Sequence, residues 1–204
     1  MKKEKTWLYD IGRITGMWMW LIWFRPKHIY INKKYKIKGG AQLCYNHSSP
    51  YDVMFAQMSV LFRRHHIVAI KDVFEKKGNR FILEHLLAIP VDRENFSVES
   101  YKKIVRVLQN GGLIDIFPEG TLEKTVDEFL EFKDGPALFA LKSNAPLIPI
   151  YMKPRKNIFE RKRFYIGDPI NLSELNIKKD NIHDATIILK TKLEELKEFS
   201  KERK

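Results

Sequence analysis

Short apolar segments alternate with helical patterns along most of this chain, and this alternation restricts the fold more than any other feature. Runs rich in β-branched residues predict strands, at residues 28–40, 41–46, 67–70, 88–91, 113–117, 146–152 and 163–170. Segments with helical periodicity or helix-start signals lie at residues 50–62, 74–87, 97–110, 136–144 and 181–204. This order predicts a single α/β domain with a mixed, largely parallel sheet flanked by helices, and functional loops are expected at the strand ends.

The composition is consistent with one such domain. The 204 residues match the size of a single hydrophobic core, and the 44% apolar residues exclude wholesale disorder. The one cysteine, Cys44, excludes an internal disulfide and a four-cysteine zinc site, and it is typical of a protein in a reducing cytosol.

The chain has a strong excess of positive charge. It carries 37 basic and 25 acidic side chains, which gives a formal net charge of +12. This excess predicts an acidic partner: nucleic acid, an anionic membrane surface, a phosphorylated metabolite or an acidic protein. The basic residues are dispersed and form no helix-turn-helix or zinc-finger pattern, which disfavours nucleic acid.

The four tryptophans lie within the first 23 residues, at Trp7, Trp18, Trp20 and Trp23. Asp10 and Arg13 interrupt this segment, so its longest apolar run, residues 17–24, is far shorter than the roughly 20 residues that span a bilayer. Because tryptophan prefers the headgroup layer, residues 1–25 are predicted to form an interfacial membrane-anchoring helix. Residues 26–204 then form the α/β domain and end in an amphipathic helix. The alternative is a terminal helix packed on the domain.

A histidine and an aspartate flank the start of a predicted helix. His47 follows the strand at residues 41–46, Ser49 is the predicted N-cap, and Asp52 lies in the first helical turn. A carboxylate bonded to one imidazole nitrogen fixes the tautomer and makes the other nitrogen a better base. A capping aspartate beside an ordinary loop histidine would give the same pattern, so the two residues alone leave both interpretations open.

A second polar cluster follows the strand at residues 113–117. Glu119, Gly120 and Thr121 supply a carboxylate, a glycine that can adopt a positive φ, and a hydroxyl. The N–H groups in such a turn can bind a polar ligand, although an ordinary turn can have the same composition.

Together, NHSSPYD at residues 46–52 and FPEGT at residues 117–121 resemble the glycerolipid acyltransferase family. AIPVDR at residues 88–93 looks like a further block of that family. PLIPIYM at residues 146–152, preceded by FKDGPALFAL, looks like another. The resemblance covers about residues 37–170 and implies a glycerol-3-phosphate acyltransferase-like domain.

The resemblance also implies a reaction: transfer of an acyl chain from a thioester to the 2-hydroxyl of lysophosphatidate. His47 would act as general base with Asp52 orienting its ring. The hydroxyl would attack directly without an acyl-enzyme, which fits the absence of a GxSxG motif and the position of Cys44 on a strand. Another lyso-lipid acceptor is the first alternative, and a basic non-enzymatic module that binds a membrane or nucleic acid is a less favoured one. Acyl-CoA or acyl-carrier protein would be the co-substrate, with no cofactor and no metal.

The acceptor's phosphate requires cationic or multiple donors. The resemblance assigns Arg93 to it, and Lys71 and Lys133 are secondary candidates, while Glu119 with Gly120 and Thr121 would position the glycerol or phosphate. An enzyme of this kind is expected at the cytoplasmic face of the cell membrane, bound peripherally or monotopically.

His65 and His66 follow two arginines. Adjacent residues on a strand point to opposite faces, so this pair is not expected to chelate one metal ion, and a basic surface patch is predicted instead.

Overall fold

A computed structural model describes residues 7–75, 78–85, 87–92, 97–121, 128–157 and 159–203. The helices are α1 (Trp7–Phe24), α2 (Asp52–Ala56), α3 (Lys71–Glu75), α4 (Asn79–His85), α5 (Val98–Gln109), α6 (Gly135–Ser143) and α7 (Ile182–Glu202). The strands are β1 (Lys27–Tyr30), β2 (Ala41–Tyr45), β3 (His65–Ile70), β4 (Ile89–Val91), β5 (Leu113–Ile116), β6 (Leu147–Lys153) and β7 (Arg163–Ile166).

The strands form one mixed sheet in the order β1-β7-β6-β2-β5-β3-β4. The five strands from β6 to β4 run parallel to one another. β7 pairs antiparallel with β6, and β1 pairs parallel with β7. The predicted α/β fold with a mixed, largely parallel sheet is therefore confirmed.

The carboxyl edge of the five parallel strands collects segments that are distant in sequence. β2 and β5 are neighbours there, so the residues after Tyr45 lie close to the residues after Ile116. Because β7 runs in the opposite direction, its first residue, Arg163, pairs with Lys153 at the end of β6. The chain entering β7 therefore reaches the same edge.

Each face of the sheet buries a separate apolar layer, as the alternation of side chains along a strand requires. Cys44 of β2 faces a layer that contains apolar residues of α5, α6 and α7, whereas Leu43 and Tyr45 face a layer containing Phe55 of α2. The result is a sheet between two helical layers.

Helix α1 packs on the α2 side of the sheet with one face only. At 100° per residue, Tyr9, Trp20 and Phe24 fall on one side of the helix, and Tyr9 is buried while the other two pack against the core. The rest of the helix surface leaves apolar side chains exposed, namely Ile11, Trp18, Met19, Ile22 and Trp23. The packed-helix alternative is therefore partly correct.

Within the part of the chain described, none of the helices has both the length and the apolar character to cross a bilayer.

Several element boundaries differ from the prediction, because β1 ends at Tyr30 rather than at residue 40, and the helical segment predicted at residues 74–87 falls in two helices, α3 and α4. Ser97 caps α5 as predicted, accepting hydrogen bonds from the N–H groups of Glu99 and Ser100. Helix α2 begins at Asp52 rather than directly after Ser49, and it ends at Ala56. The Asp52 carboxylate accepts the N–H groups of Ser48 and Ser49, which holds these residues in a turn before the helix.

Candidate active site

His47 lies two residues beyond β2 at the carboxyl edge of the sheet. Its ring packs 4.2 Å from the Phe117 ring, centroid to centroid, and its side chain is 16% exposed. Atom Nδ1 is buried and lies 3.7 Å from Asp52 Oδ2, and it has no hydrogen-bond partner among the described residues. The accessible part of the ring therefore lies away from Nδ1.

Asp52 is buried at the first position of α2, and several donors hold its carboxylate. Oδ2 accepts the N–H groups of Ser48 at 2.8 Å and Ser49 at 2.7 Å, and the Ser48 hydroxyl at 3.4 Å. The same oxygen faces His47 Nδ1, and a shift of a few tenths of an ångström would bring the pair within hydrogen-bond distance. Strand, turn and helix thus place the His-Asp pair face to face.

Glu119 joins the loop after β5 to the loop after β2. Its Oε1 accepts the His47 N–H at 3.1 Å, and its Oε2 accepts the Leu130 N–H at 3.3 Å. The side chain is buried, and this burial raises the pKa of its carboxyl. Glu119 therefore contacts the backbone that carries His47 rather than the imidazole ring.

The other predicted substrate residues occupy this edge with more exposure. Gly120 has a φ of +67°, the conformation for which glycine was expected, and both Gly120 and Thr121 are exposed. Lys71 begins α3 and Lys133 bonds through its N–H to Pro118 O, with both side chains exposed. Arg93 lies outside the described residues.

The structure adds Lys162, for which no motif or pattern in the sequence predicted a functional role. Its Nζ lies 3.7 Å from Asp52 Oδ1, and its side chain is only 2% exposed. Burial lowers the pKa of its ammonium group to about 8. The residue lies in the run Glu160-Arg-Lys-Arg163, whose composition is typical of a solvated surface, and only the strand pairing reveals its position.

The prediction for His65 was wrong. His65 is buried under α1, with Nδ1 at 2.8 Å from Asp115 Oδ1 and Nε2 at 2.9 Å from Val60 O. Both ring nitrogens face oxygen acceptors, so neither nitrogen is open to a ligand. The physical reason is the strand alternation itself, because it turns one of two adjacent histidines toward the core.

The site can carry out general base chemistry on a bound hydroxyl. A histidine with one nitrogen buried toward an aspartate, and with another part of its ring open at a sheet edge, is arranged for proton transfer. Among the described residues, no three His, Cys, Asp or Glu side chains cluster so that they could hold a metal ion. The fold and the site together define an α/β protein with a histidine-aspartate pair at the carboxyl edge of its sheet.

The chain belongs to the acyltransferase family, whose sequence profile matches residues 27–153. Similar proteins include a Bacillus subtilis 1-acyl-sn-glycerol-3-phosphate acyltransferase, which is 28% identical over 175 residues, covering 82% of this chain and 86% of that protein. A protein of the same name from Limnanthes douglasii is 26% identical over 170 residues, and the match covers 82% of this chain but only 59% of the plant protein.

A solved structure shares the fold. The crystal structure of the 1-acyl-sn-glycerophosphate acyltransferase from Thermotoga maritima matches with a TM-score of 0.61 and 18% identity, covering 97% of this chain and 84% of that one. At this identity, the likeness supports the fold alone.

Proposed function

We propose that this protein transfers an acyl chain from an acyl thioester to the 2-hydroxyl of lysophosphatidate, which yields phosphatidate for phospholipid synthesis. Family membership supports acyl transfer, and the names of the relatives support this acceptor. The observation that carries the proposal is the His47 ring, whose Nδ1 is buried toward Asp52 while another part of the ring is accessible.

In the proposed reaction, His47 removes the proton of the 2-hydroxyl through Nε2 as the hydroxyl oxygen attacks the thioester carbonyl carbon. The carbon–sulfur bond then breaks, the new ester stays on the lipid, and the departing thiolate takes the proton from His47. Cys44 is a poor candidate for a covalent step because it is buried in β2, and burial raises the pKa of its thiol.

Asp52 and Glu119 support His47 in different ways. Asp52 faces Nδ1, and its contact tightens when substrate binds, as catalytic hydrogen bonds commonly do. Glu119 holds the backbone N–H of His47 and so fixes the ring against the β5 loop. The Gly120-Thr121 turn beside it is exposed, and we expect it to contact the glycerol or phosphate of the acceptor.

The acceptor's phosphate needs positive charge at this edge of the sheet. Arg93 follows β4, and Lys71 and Lys133 lie on neighbouring segments, so all three remain candidates. We expect Arg93→Ala to raise the KM for lysophosphatidate, whereas replacement of the exposed Lys142 on α6 serves as the control for losing one positive charge.

The exposed apolar face of α1 supports peripheral attachment to a membrane, with the positive charge of the chain favouring an anionic surface. Such attachment at the cytoplasmic face of the cell membrane would place the site beside its lipid acceptor. Cosedimentation with vesicles that contain anionic lipid tests this attachment, and a protein that stays in the supernatant would contradict it.

The reaction is tested with purified full-length protein and lysophosphatidate, using acyl-CoA and acyl-carrier protein in parallel as donors. Mass spectrometry of the lipid product should show phosphatidate. Lysophosphatidylcholine is the matched acceptor, because it keeps the free 2-hydroxyl but carries choline on its phosphate. Acylation of lysophosphatidylcholine without any phosphatidate would favour the alternative, an acyltransferase for another lyso-lipid.

A further inference from the structure

Lys162 is buried in a place where a positive charge has few compensating contacts. Its side chain is 2% exposed, and its Nζ donates a hydrogen bond of 3.3 Å to Lys153 O and lies 4.5 Å from the centre of the Phe55 ring. Among the described residues, the one carboxylate within 4 Å is Asp52. Burial of an ammonium group at this depth is unfavourable without a partner, so its position requires an explanation.

The two oxygens of Asp52 have separate partners. Oδ2 receives the Ser48 and Ser49 N–H groups and faces His47 Nδ1, whereas Oδ1 faces Lys162 Nζ at 3.7 Å. A carboxylate that can rotate would present either oxygen to the histidine. A cation on the Oδ1 side and two N–H groups on the Oδ2 side together fix its plane.

The backbone of Lys162 is anchored as well. Its N–H donates to Phe24 O at the end of α1, and its carbonyl accepts from Lys27 N at the start of β1. The rings of Phe24 and Phe55 meet edge to face at 5.1 Å. The ammonium group is thus held by several elements, which suits a positioning role.

We propose that Lys162 is a positioning residue of the acyl-transfer reaction, acting through Asp52 to hold Oδ2 against His47. This inference rests on the proposed function of His47 and Asp52. Lys162 approaches the buried side of Asp52, away from the accessible part of the histidine ring, so its effect is expected on kcat rather than on the KM for the acceptor.

The charge of Lys162 also predicts a pH dependence. Burial lowers the pKa of this lysine from about 10.5 to about 8, with the Asp52 carboxylate opposing the shift and the Arg155 guanidinium adding to it. The ammonium group is charged below pH 8 and becomes neutral as the pH rises through that value. We therefore expect kcat to fall on the alkaline side, toward the value of a variant that lacks the charge.

The first variant is Lys162→Met, which keeps most of the length of the unbranched side chain and removes its charge. Misplacement of a catalytic group by about 1 Å can lower a rate about a hundredfold, so we expect kcat at pH 7 to fall about 10 to 100 fold with the KM for lysophosphatidate nearly unchanged. A kcat within about threefold of the wild-type value, or a change confined to KM, would overturn the proposal.

The second variant, Lys162→Arg, keeps a positive charge that does not titrate in this range. Its kcat should not fall between pH 7 and 9.5, whereas the wild-type kcat should. The control is Lys153→Met, because Lys153 lies at the same sheet edge, also has a lowered pKa, and donates to Ser200 O. Lys153→Met should keep the alkaline fall of the wild type.

The wild-type profile tests the inference even if Lys162→Met does not fold. A constant wild-type kcat from pH 7 to 9.5 would overturn it, and so would an unchanged alkaline fall in Lys162→Arg. Phosphatidate formation by the wild type at pH 7 is measured first. Its absence would contradict the proposed function, whereas activity that is insensitive to Lys162 would contradict only the positioning role.

Discussion

Three histidine-aspartate pairs lie among the described residues, and the two whose aspartate is buried, His65-Asp115 and His47-Asp52, differ in the distance between their closest atoms, in exposure and in the partners of the histidine ring. His65 and Asp115 are fully buried, their closest atoms are 2.8 Å apart, and the second nitrogen of the His65 ring is occupied by Val60 O. In the His47-Asp52 pair, the closest atoms are 3.7 Å apart, the histidine is partly exposed, and the aspartate takes its hydrogen bonds from a turn. The tight pair has no free nitrogen for a substrate, whereas the loose pair has an accessible ring.

Close geometry is therefore a poor guide to function here. The His65-Asp115 pair lies in a hydrogen-bond network with Tyr45, Ser59 and Gln57. This network gives the buried polar atoms their partners, and it joins β3 to β5 and to the segment after α2. Such a network stabilises a single arrangement of the core. The His47-Asp52 pair lies at the carboxyl edge of the sheet, where the proposed acceptor would contact the partly exposed His47 ring.

The largest expected difference between the pairs is in the rate. His47→Ala should lower kcat by between about a hundredfold and ten-thousandfold, because general base catalysis contributes about that much. His65→Ala should leave the kcat of the folded protein nearly unchanged, because no part of its ring reaches the sheet edge. Steady-state assays at pH 7 on folded protein compare the two. Equal losses of kcat would contradict the distinction.

The local parts of the site could be predicted from sequence because their residues are close along the chain. His47 and Asp52 are five positions apart, and a strand followed by a turn and a helix places them together. Glu119 and Gly120 follow directly on a recognisable strand, and glycine supplies the positive φ. The fold class could be predicted as well. Strands that alternate with helices along the chain are typical of a sheet whose two faces are covered by those helices.

The parts that sequence did not reveal depend on contacts between distant segments. Asp115 meets His65 across 50 residues, and Lys162 meets Asp52 across 110. The parallel pairing of β3 with β5 creates the first contact, and the antiparallel turn into β7 creates the second. Composition misleads in both cases, because runs of basic residues and adjacent histidines are typical of exposed surfaces.

The second difference is in stability. Asp115→Ala removes the acceptor shared by Gln57 and the buried His65 and Tyr45 side chains and should lower the free energy of unfolding by about 3 to 5 kcal/mol, because buried donors are left unsatisfied. Urea denaturation followed by circular dichroism measures this change. The matched control is Asp10→Ala, because Asp10 pairs with Arg64 at 2.6 Å on the surface and its loss should amount to about 1 kcal/mol or less. Equal losses in the two variants would contradict a stabilising role for the buried pair.

The smallest expected effect concerns the link between α1 and the tight pair. The Tyr9 hydroxyl donates to Gln57 Oε1 at 2.7 Å and accepts the His65 N–H at 3.2 Å, and Gln57 in turn donates to Asp115. Tyr9→Phe removes these bonds without changing the packing of the ring. We expect the free energy of unfolding to fall by about 1 kcal/mol, measured from urea denaturation curves.

Tyr35→Phe is the matched control for Tyr9→Phe, because it removes a hydroxyl that donates to Gly167 O, outside the network. Both variants should keep the wild-type kcat, because the network ends at β5 below the sheet edge. A selective loss of kcat in Tyr9→Phe would mean that α1 acts on the active site through the buried pair. The two histidine-aspartate pairs would then be coupled, and assigning stability to one and catalysis to the other would be wrong.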